Sequence, residues 1–208
     1  RGIEDIILWI RKKKITEMKL KHGILLLVGL LIIGFAGLIA IKKVNVSINF
    51  SVGEQIDSLN GVYVYHNGGV DNISGRNKTS DGYNLGLKYQ CVEFVKRYYY
   101  EHLNHKMPET YGHAKDFFNT NLSDGNINTQ RNLIQYTNPS ATIPKADDLL
   151  IFEGSAFNKF GHVAIVSQVT DKNIEIIQQS SGPLGRTRET IKIEYKNGKW
   201  ESKESRIL

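Results

Sequence analysis

The chain has a single cysteine, Cys91, within the segment KYQCVEFVKR. A lone cysteine can be a packed small residue, half of an intermolecular disulfide, or a nucleophile. It cannot close an internal disulfide, and one cysteine without an HExxH pattern does not make a zinc site. Cys91 comes at the start of a predicted helix, where unpaired backbone N–H groups lower the pKa of a thiol and stabilise an oxyanion. The position is therefore suited to a nucleophile.

A cysteine nucleophile needs a base, most often histidine, that is itself oriented by a third group. His162 opens a predicted strand, GHVAIVSQV, after a glycine-containing turn. A sheet would hold it rigidly, as a general base requires. The other histidines flank an apolar run, lie in loops, or come at the far end of the cysteine helix: His22, His66, His113, His102 and His105. The residues alone leave two interpretations open, a Cys91–His162 pair or a packed cysteine and a strand-edge histidine.

The elements that must position this pair follow from periodicity. Residues 90–104 are predicted as a helix because Val92, Val95 and Tyr99 share one face, and a second, short helix is predicted over residues 113–121. Five β-branched or alternating runs are predicted as strands: residues 61–65, 147–152, 161–169, 173–179 and 190–196. An early helix followed by consecutive strands indicates an α+β domain with an antiparallel sheet.

Four segments carry a resemblance to a known family. YQCVEFVKR, DDLLIF, GHVAIVSQV and IEIIQQ, in this order and with these intervals, resemble the CHAP domain, the cysteine, histidine-dependent amidohydrolases and peptidases. The similarity is greatest to the amidase domain of glutathionylspermidine synthetase/amidase and covers about residues 61–196. It implies a papain-like fold, Cys91 as the nucleophile, and His162 as the base that later protonates the leaving amine. It implies no cofactor.

The third catalytic residue departs from the family pattern of Glu-Gln-Asn. Gln178 stands where the glutamate is expected, Gln179 matches the glutamine, and Ser180 replaces the asparagine. Glu175 has the right chemistry, but an odd offset along a strand faces the opposite side. An amide oxygen can accept the Nδ1–H of His162, as asparagine does in Cys-His-Asn enzymes, but adds no charge. We expect activity to survive in reduced or altered form; the alternative is an inactive binder that keeps the fold.

Neighbouring residues receive supporting roles. The resemblance assigns Gln90 and Gln179 to the oxyanion or substrate site, with a helix cap or packing contact as the alternative for Gln90. Lys96 and Arg97 are expected on a solvated helix face, with contact to an acidic substrate group as the alternative. The three tyrosines at positions 98–100 are expected to pack in the core and at its rim.

An apolar segment precedes the domain. Residues 23–41, GILLLVGLLIIGFAGLIAI, are uncharged and as a helix reach about 28 Å, close to the hydrocarbon thickness of a bilayer. A cleaved signal peptide fits less well because no small-x-small site precedes the following lysines. The predicted organisation is a basic cytoplasmic segment (1–22), a transmembrane helix (23–41), a connector (42–60) and a CHAP amidase domain (61–208). The basic segment is either an amphipathic helix on the inner leaflet or a solvated tail.

The net charge of +6 is concentrated at the N-terminal end. Seven Lys or Arg residues precede the apolar run and only Lys42 and Lys43 follow it closely, so the N-terminus is predicted in the cytoplasm and the domain outside. No basic stripe with aromatic residues follows residue 50, so no nucleic-acid partner is expected. A native start upstream of Arg1 stays open.

Topology and resemblance together predict a single-pass bacterial membrane protein whose domain lies in the periplasm or at the cell surface. The predicted function is a cysteine amidase or endopeptidase that cleaves amide bonds of cell-wall peptidoglycan through a thioester. Two alternatives are kept: hydrolysis of a glutathione–polyamine amide, and a catalytically weak wall-binding or assembly protein. The first alternative is cytosolic chemistry, against which the membrane segment argues.

Overall fold

The computed structural model describes residues 2–43, 50–155, 158–182 and 186–208. The chain divides into two compact units, Arg1–Lys42 and Lys43–Leu208. The first unit is one helix, α1 (Gly2–Lys43). Its apolar side chains are exposed, and by length and composition it could cross a membrane or serve as a signal anchor. The predicted anchor at residues 23–41 is consistent with this helix, which also includes the basic segment.

The second unit combines helix and antiparallel sheet, which confirms the predicted α+β class. Its elements in chain order are β1 (Gln55–Leu59), β2 (Val62–Tyr65), β3 (Arg76–Lys78), β4 (Asn84–Leu87), α2 (Cys91–Glu101), a 3₁₀ turn (Ala114–Phe117), β5 (Ile127–Asn128), β6 (Leu133–Ile134), β7 (Leu149–Phe152), β8 (His162–Val169), β9 (Asn173–Ile177), β10 (Arg188–Lys196) and β11 (Lys199–Ser202). The main sheet has the order β11–β10–β9–β8–β7, and three two-stranded sheets pair β1 with β2, β3 with β4 and β5 with β6.

The sequence analysis missed strands β1 and β11, and each of them forms one strand of a hairpin with an Asn-Gly turn. Asn60 and Gly61 both have positive φ, as do Asn197 and Gly198. They connect β1 to β2 and β10 to β11, and Asn-Gly is the pair that such two-residue turns favour. Strand β1 lies within residues 42–60, so the prediction of a connector is corrected for Gln55–Leu59, which pair with β2.

Helix α2 covers one face of the main sheet. Phe94, Val95 and Tyr98 are fully buried and pack in one cluster with Val163 and Ile165 of β8. The predicted packing role of the tyrosines is confirmed for residues 98 and 99, which lie in this cluster. Because both strand and helix contribute to one core, the start of α2 is fixed against the start of β8.

The polar side of α2 is also buried. Glu93 and Arg97 are 2% and 5% exposed and form an ion pair with 2.7 Å between Oε1 and Nε. Glu93 also accepts hydrogen bonds from Asn77 (2.8 Å) and Gln179 (2.9 Å). A buried carboxylate needs such partners to offset its lost hydration. One side chain therefore links α2 to the β3–β4 hairpin and to the residues that follow β9.

Lys96 is 1% exposed and donates hydrogen bonds to the backbone carbonyls of Asn84 and Thr110. Burial, with the positive charge of Arg131 as a further cause, lowers the pKa of Lys96 to about 8. The expectation that Lys96 and Arg97 lie on a solvated face is wrong, because the β3–β4 hairpin and β2 cover that side of the helix.

Gly161, immediately before β8, is required by its surroundings. Its φ is +74°, and a Cβ at this position would lie 2.5 Å from the backbone oxygen of Phe152. Gly198 has a similar φ of +79°, but no atom lies within 4 Å of the corresponding Cβ position. Both glycines therefore have a left-handed backbone, but a Cβ would collide with neighbouring atoms only at Gly161.

We expect Gly161→Ala to lower the free energy of unfolding more than Gly198→Ala. Both changes carry the cost of a left-handed backbone, about 1 kcal/mol, and only Gly161→Ala adds a collision with backbone. Urea unfolding of the two variants and the parent chain measures the difference. Equal losses would contradict the steric argument.

Candidate active site

Cys91 is the first residue of α2. Gln90 before it is extended (φ −89°, ψ 160°), so the chain enters the helix at the cysteine. The backbone N–H groups of Val163, Val92 and Cys91 itself lie near enough to the thiol to lower its pKa. Cys91 packs against the core cluster that contains Val163, the residue that directly follows His162 at the start of β8.

The thiol does not have the lowered pKa expected of a helix start. Burial raises the pKa of Cys91, and the three N–H groups offset this only in part. Removal from water disfavours the thiolate more than the helix end favours it. The expectation is therefore corrected: in the resting protein the cysteine is a neutral thiol at pH 7.

His162 lies at the first position of β8, opposite Phe152 of β7. Burial lowers its pKa to about 4; the hydrogen bond to Gln178 opposes this shift and the positive charge of Arg206 adds to it. The imidazole is consequently neutral at pH 7 and able to accept a proton. The upward shift of the Cys91 pKa and the downward shift of the His162 pKa both favour the uncharged forms of these groups.

Gln178 is the partner of His162. It is 4% exposed, and its Oε1 lies 2.9 Å from Nε2 of the imidazole. Its own Nε2 donates to the backbone oxygen of Arg186 (3.3 Å) and faces a carboxylate oxygen of Glu189 (3.5 Å). Because an amide oxygen only accepts, the hydrogen of His162 is on Nε2. The expected Nδ1 contact is thus corrected, and Nδ1 is the nitrogen that remains to accept the proton of a thiol.

The two other glutamines expected at the oxyanion or substrate site have structural partners. Gln90 donates to the backbone oxygens of Val70 (3.2 Å) and Asn72 (2.8 Å), so its amide hydrogens are both used. It makes no side-chain cap. Gln179 is 1% exposed, accepts from Tyr65 N–H (2.7 Å) and donates to Glu93. In this conformation Gln90 tethers a loop, and Gln179 is a buried cross-link.

Glu175 binds elsewhere, as expected from its offset along the strand. Its carboxylate lies 2.8 Å from Arg188 and 2.8 Å from the Ser167 hydroxyl. Sequence reasoning missed two groups that the structure places at the site: the Val163 N–H and the Glu189 carboxylate. The first was implicit in the position after His162, while nothing in the spacing of Glu189 indicates it. No cluster of three His, Cys, Asp or Glu that could hold a metal occurs in the described ranges.

The arrangement is suited to acyl transfer. A thiol can lose its proton to Nδ1 of His162 and attack a carbonyl carbon, while backbone N–H groups at the start of α2 stabilise the resulting oxyanion. Gln178 fixes the ring and its tautomer but brings no charge to stabilise an imidazolium.

We expect alkylation of Cys91 by iodoacetamide to be slow at pH 6 and to accelerate as pH rises. A raised thiol pKa means that less thiolate exists at low pH, and its fraction grows about tenfold per pH unit below that pKa. Rates measured by mass spectrometry on the full chain between pH 5 and 9 check this. A fast rate that is unchanged down to pH 5 would instead indicate a thiolate–imidazolium pair.

The chain is similar in sequence to known proteins over the segment that contains this site. Residues 80–180 match the family model described as CHAP domain. The chain is 28% identical over 131 residues (62% of the chain) to trypanothione synthetase of Crithidia fasciculata, covering 20% of that protein. It is 33% identical over 113 residues (53% of the chain) to the bifunctional glutathionylspermidine synthetase/amidase of Escherichia coli (strain K12), covering 18% of it. The chain thus spans about a fifth of the length of these relatives. The matched segment holds Cys91, His162 and Gln178, and over this segment the chain is similar to the CHAP domain, a family of amidohydrolases and peptidases.

Proposed function

We propose that this protein is a membrane-anchored cysteine amidase or endopeptidase that works through a thioester on Cys91. The observation that carries the proposal is the packing of Cys91 against the core cluster that contains Val163, next to a histidine whose Nε2 is held by Gln178. In this proposal the nucleophile lies at the start of α2, the base at the start of β8, and the orienting residue directly after β9.

The proposed reaction has two halves. Nδ1 of His162 takes the thiol proton as Sγ attacks the carbonyl carbon of the amide, and the oxyanion meets N–H groups at the start of α2. The C–N bond then breaks, and the imidazolium gives its proton to the leaving amine. In the second half His162 removes a proton from water, which attacks the thioester, and the acid leaves as Cys91 regains its proton.

The neutral amide of Gln178 is expected to limit the rate of this reaction. The imidazolium forms in each half of the reaction, and burial already disfavours it, as the lowered pKa of His162 indicates. Without an adjacent carboxylate, the charge is stabilised less than in a Cys-His-Glu site. We therefore propose a slower enzyme than its family pattern would give.

Peptidoglycan is the substrate class that we propose. Helix α1 supports an anchor, and the excess of lysine and arginine before the apolar run supports a cytoplasmic N-terminus and an exported domain. An exported amidase held at a bacterial membrane meets the stem and cross-bridge peptides of the wall. The anchored domain would then cleave amide bonds of the wall close to the membrane.

A second substrate is favoured by the comparisons. The Escherichia coli relative is named as an amidase of glutathionylspermidine, and 113 aligned residues are 33% identical to it. Hydrolysis of a glutathione–polyamine amide by the same residues is therefore the alternative enzymatic proposal. A binding protein that keeps the fold without turnover is the remaining alternative, and Gln178 is its support.

We expect the full chain in detergent to release new amino termini from purified murein, and Cys91→Ala to release none. Serine at this position retains a weaker nucleophile, so alanine is the sharper variant. Amine-reactive labelling and mass analysis of the soluble fragments identify the cleaved bond.

Glutathionylspermidine incubated in parallel separates the two enzymatic proposals. If glutathionylspermidine is cleaved and murein is not, the substrate is the glutathione–polyamine amide and not peptidoglycan. Equal release of amino termini by the parent and by Cys91→Ala would show that Cys91 is not the nucleophile.

A further inference from the structure

We propose that Glu189 is a positioning residue that supplies, through the amide of Gln178, the carboxylate that the site lacks beside His162. The proposal rests on the proposed function, because it assigns a role in the same reaction. It concerns a residue on β10, one strand beyond those that carry the nucleophile, the base and the glutamine.

The sheet brings Glu189 to this place. In the antiparallel pair of β9 and β10, Arg188 lies opposite Ile177 and Glu189 opposite Ile176. The pairing continues past β9, where Gln178 N–H donates to Thr187 O at 2.8 Å. The side chain of Gln178 therefore extends between β8 on one side and β10 on the other.

The oxygen of the Gln178 amide faces a hydrogen-bond donor, and its nitrogen faces two acceptors. Oε1 meets the Nε2–H of His162 at 2.9 Å, and Nε2 lies between the Arg186 carbonyl oxygen (3.3 Å) and the Glu189 carboxylate (3.5 Å). A reversed amide would put its oxygen against both of these oxygens, whichever tautomer His162 adopts. Two acceptors thus hold the amide in one orientation.

This orientation decides which nitrogen of His162 is the base. An oxygen facing Nε2 requires the hydrogen on Nε2, and leaves the lone pair of Nδ1 for the thiol. A carboxylate behind the amide also polarises it, so that Oε1 becomes more negative as the ring gains a proton. Glu189 acts on the imidazolium across one intervening amide.

Other charges near the ring and the strand do not replace this effect. Arg206, from the C-terminal segment, is positive and disfavours the imidazolium. Arg188, next to Glu189, is already paired with Asp57 and Glu175. Within the described parts of the chain, Glu189 has no ion-pair partner, so its charge is not neutralised by a neighbouring cation.

The first test measures His162 directly and needs no substrate. The full chain with Cys91→Ser is labelled at histidine Cε1 in detergent, and the His162 signal is assigned by its loss in His162→Gln. Removing a negative charge favours the neutral ring, so Glu189→Gln should lower the pKa of His162 by about 0.5.

Glu194→Gln is the matched control. It removes a carboxylate from the same strand, one that is paired with Lys203 at 2.9 Å, and should leave the His162 titration in place. Equal titration of His162 in the parent, Glu189→Gln and Glu194→Gln would overturn the proposal. Because the readout is not activity, this outcome is distinct from a failure of the proposed amidase reaction.

The second test compares the effect of Glu189→Gln in two backgrounds. In the parent it should reduce turnover about threefold, the rate equivalent of that pKa change. After Gln178→Glu, the introduced carboxylate accepts from His162 itself and Glu189 becomes a like-charged neighbour. The loss should then disappear or become a gain. The same loss in both backgrounds, or no loss in the parent, would overturn the proposal.

Discussion

The carboxylate of Glu93 is the interaction on which the site depends. It is buried, charged, and shared among Arg97 on α2, Asn77 on β3 and Gln179 after β9. Replacing one partner leaves an unpaired charge inside the protein, which costs several kcal/mol, about 3–5 in measured cases. The network therefore fixes the spacing between the helix that bears Cys91 and the strand end that bears Gln178.

Burial has a second effect, on the chemistry itself. The same packing that orders α2 against β8 raises the pKa of Cys91 and lowers that of His162. Both shifts favour the uncharged forms, so the pair acquires charge only during reaction. In such a site the rate depends more on groups that stabilise the charge formed during reaction than on groups that stabilise the uncharged resting forms. The N–H groups around the thiol and the amide of Gln178 are those groups here.

Much of the fold could be predicted from patterns that local chemistry enforces. The apolar periodicity of residues 90–104 gave α2, and the β-branched runs gave the central strands of the main sheet. Strands β1 and β11 were missed although Asn60-Gly61 and Asn197-Gly198 are strong hairpin signals. The burial of Lys96 and Arg97 could not be predicted, because it depends on which loops cover the helix. Glu189 was beyond reach for a similar reason: only strand register brings it to Gln178.

The unbroken helix α1 has a consequence for how its two halves respond to a membrane. Its 42 residues rise about 63 Å, roughly twice the hydrocarbon thickness of a bilayer. An apolar span adjusts to a thinner or thicker bilayer mainly by changing its tilt. Since helical structure continues from Gly2 through the apolar residues, a tilt of the span swings the lysine-rich half through the same angle. In a bilayer that α1 crosses, the height of those charges relative to the lipid headgroups would therefore change with bilayer thickness.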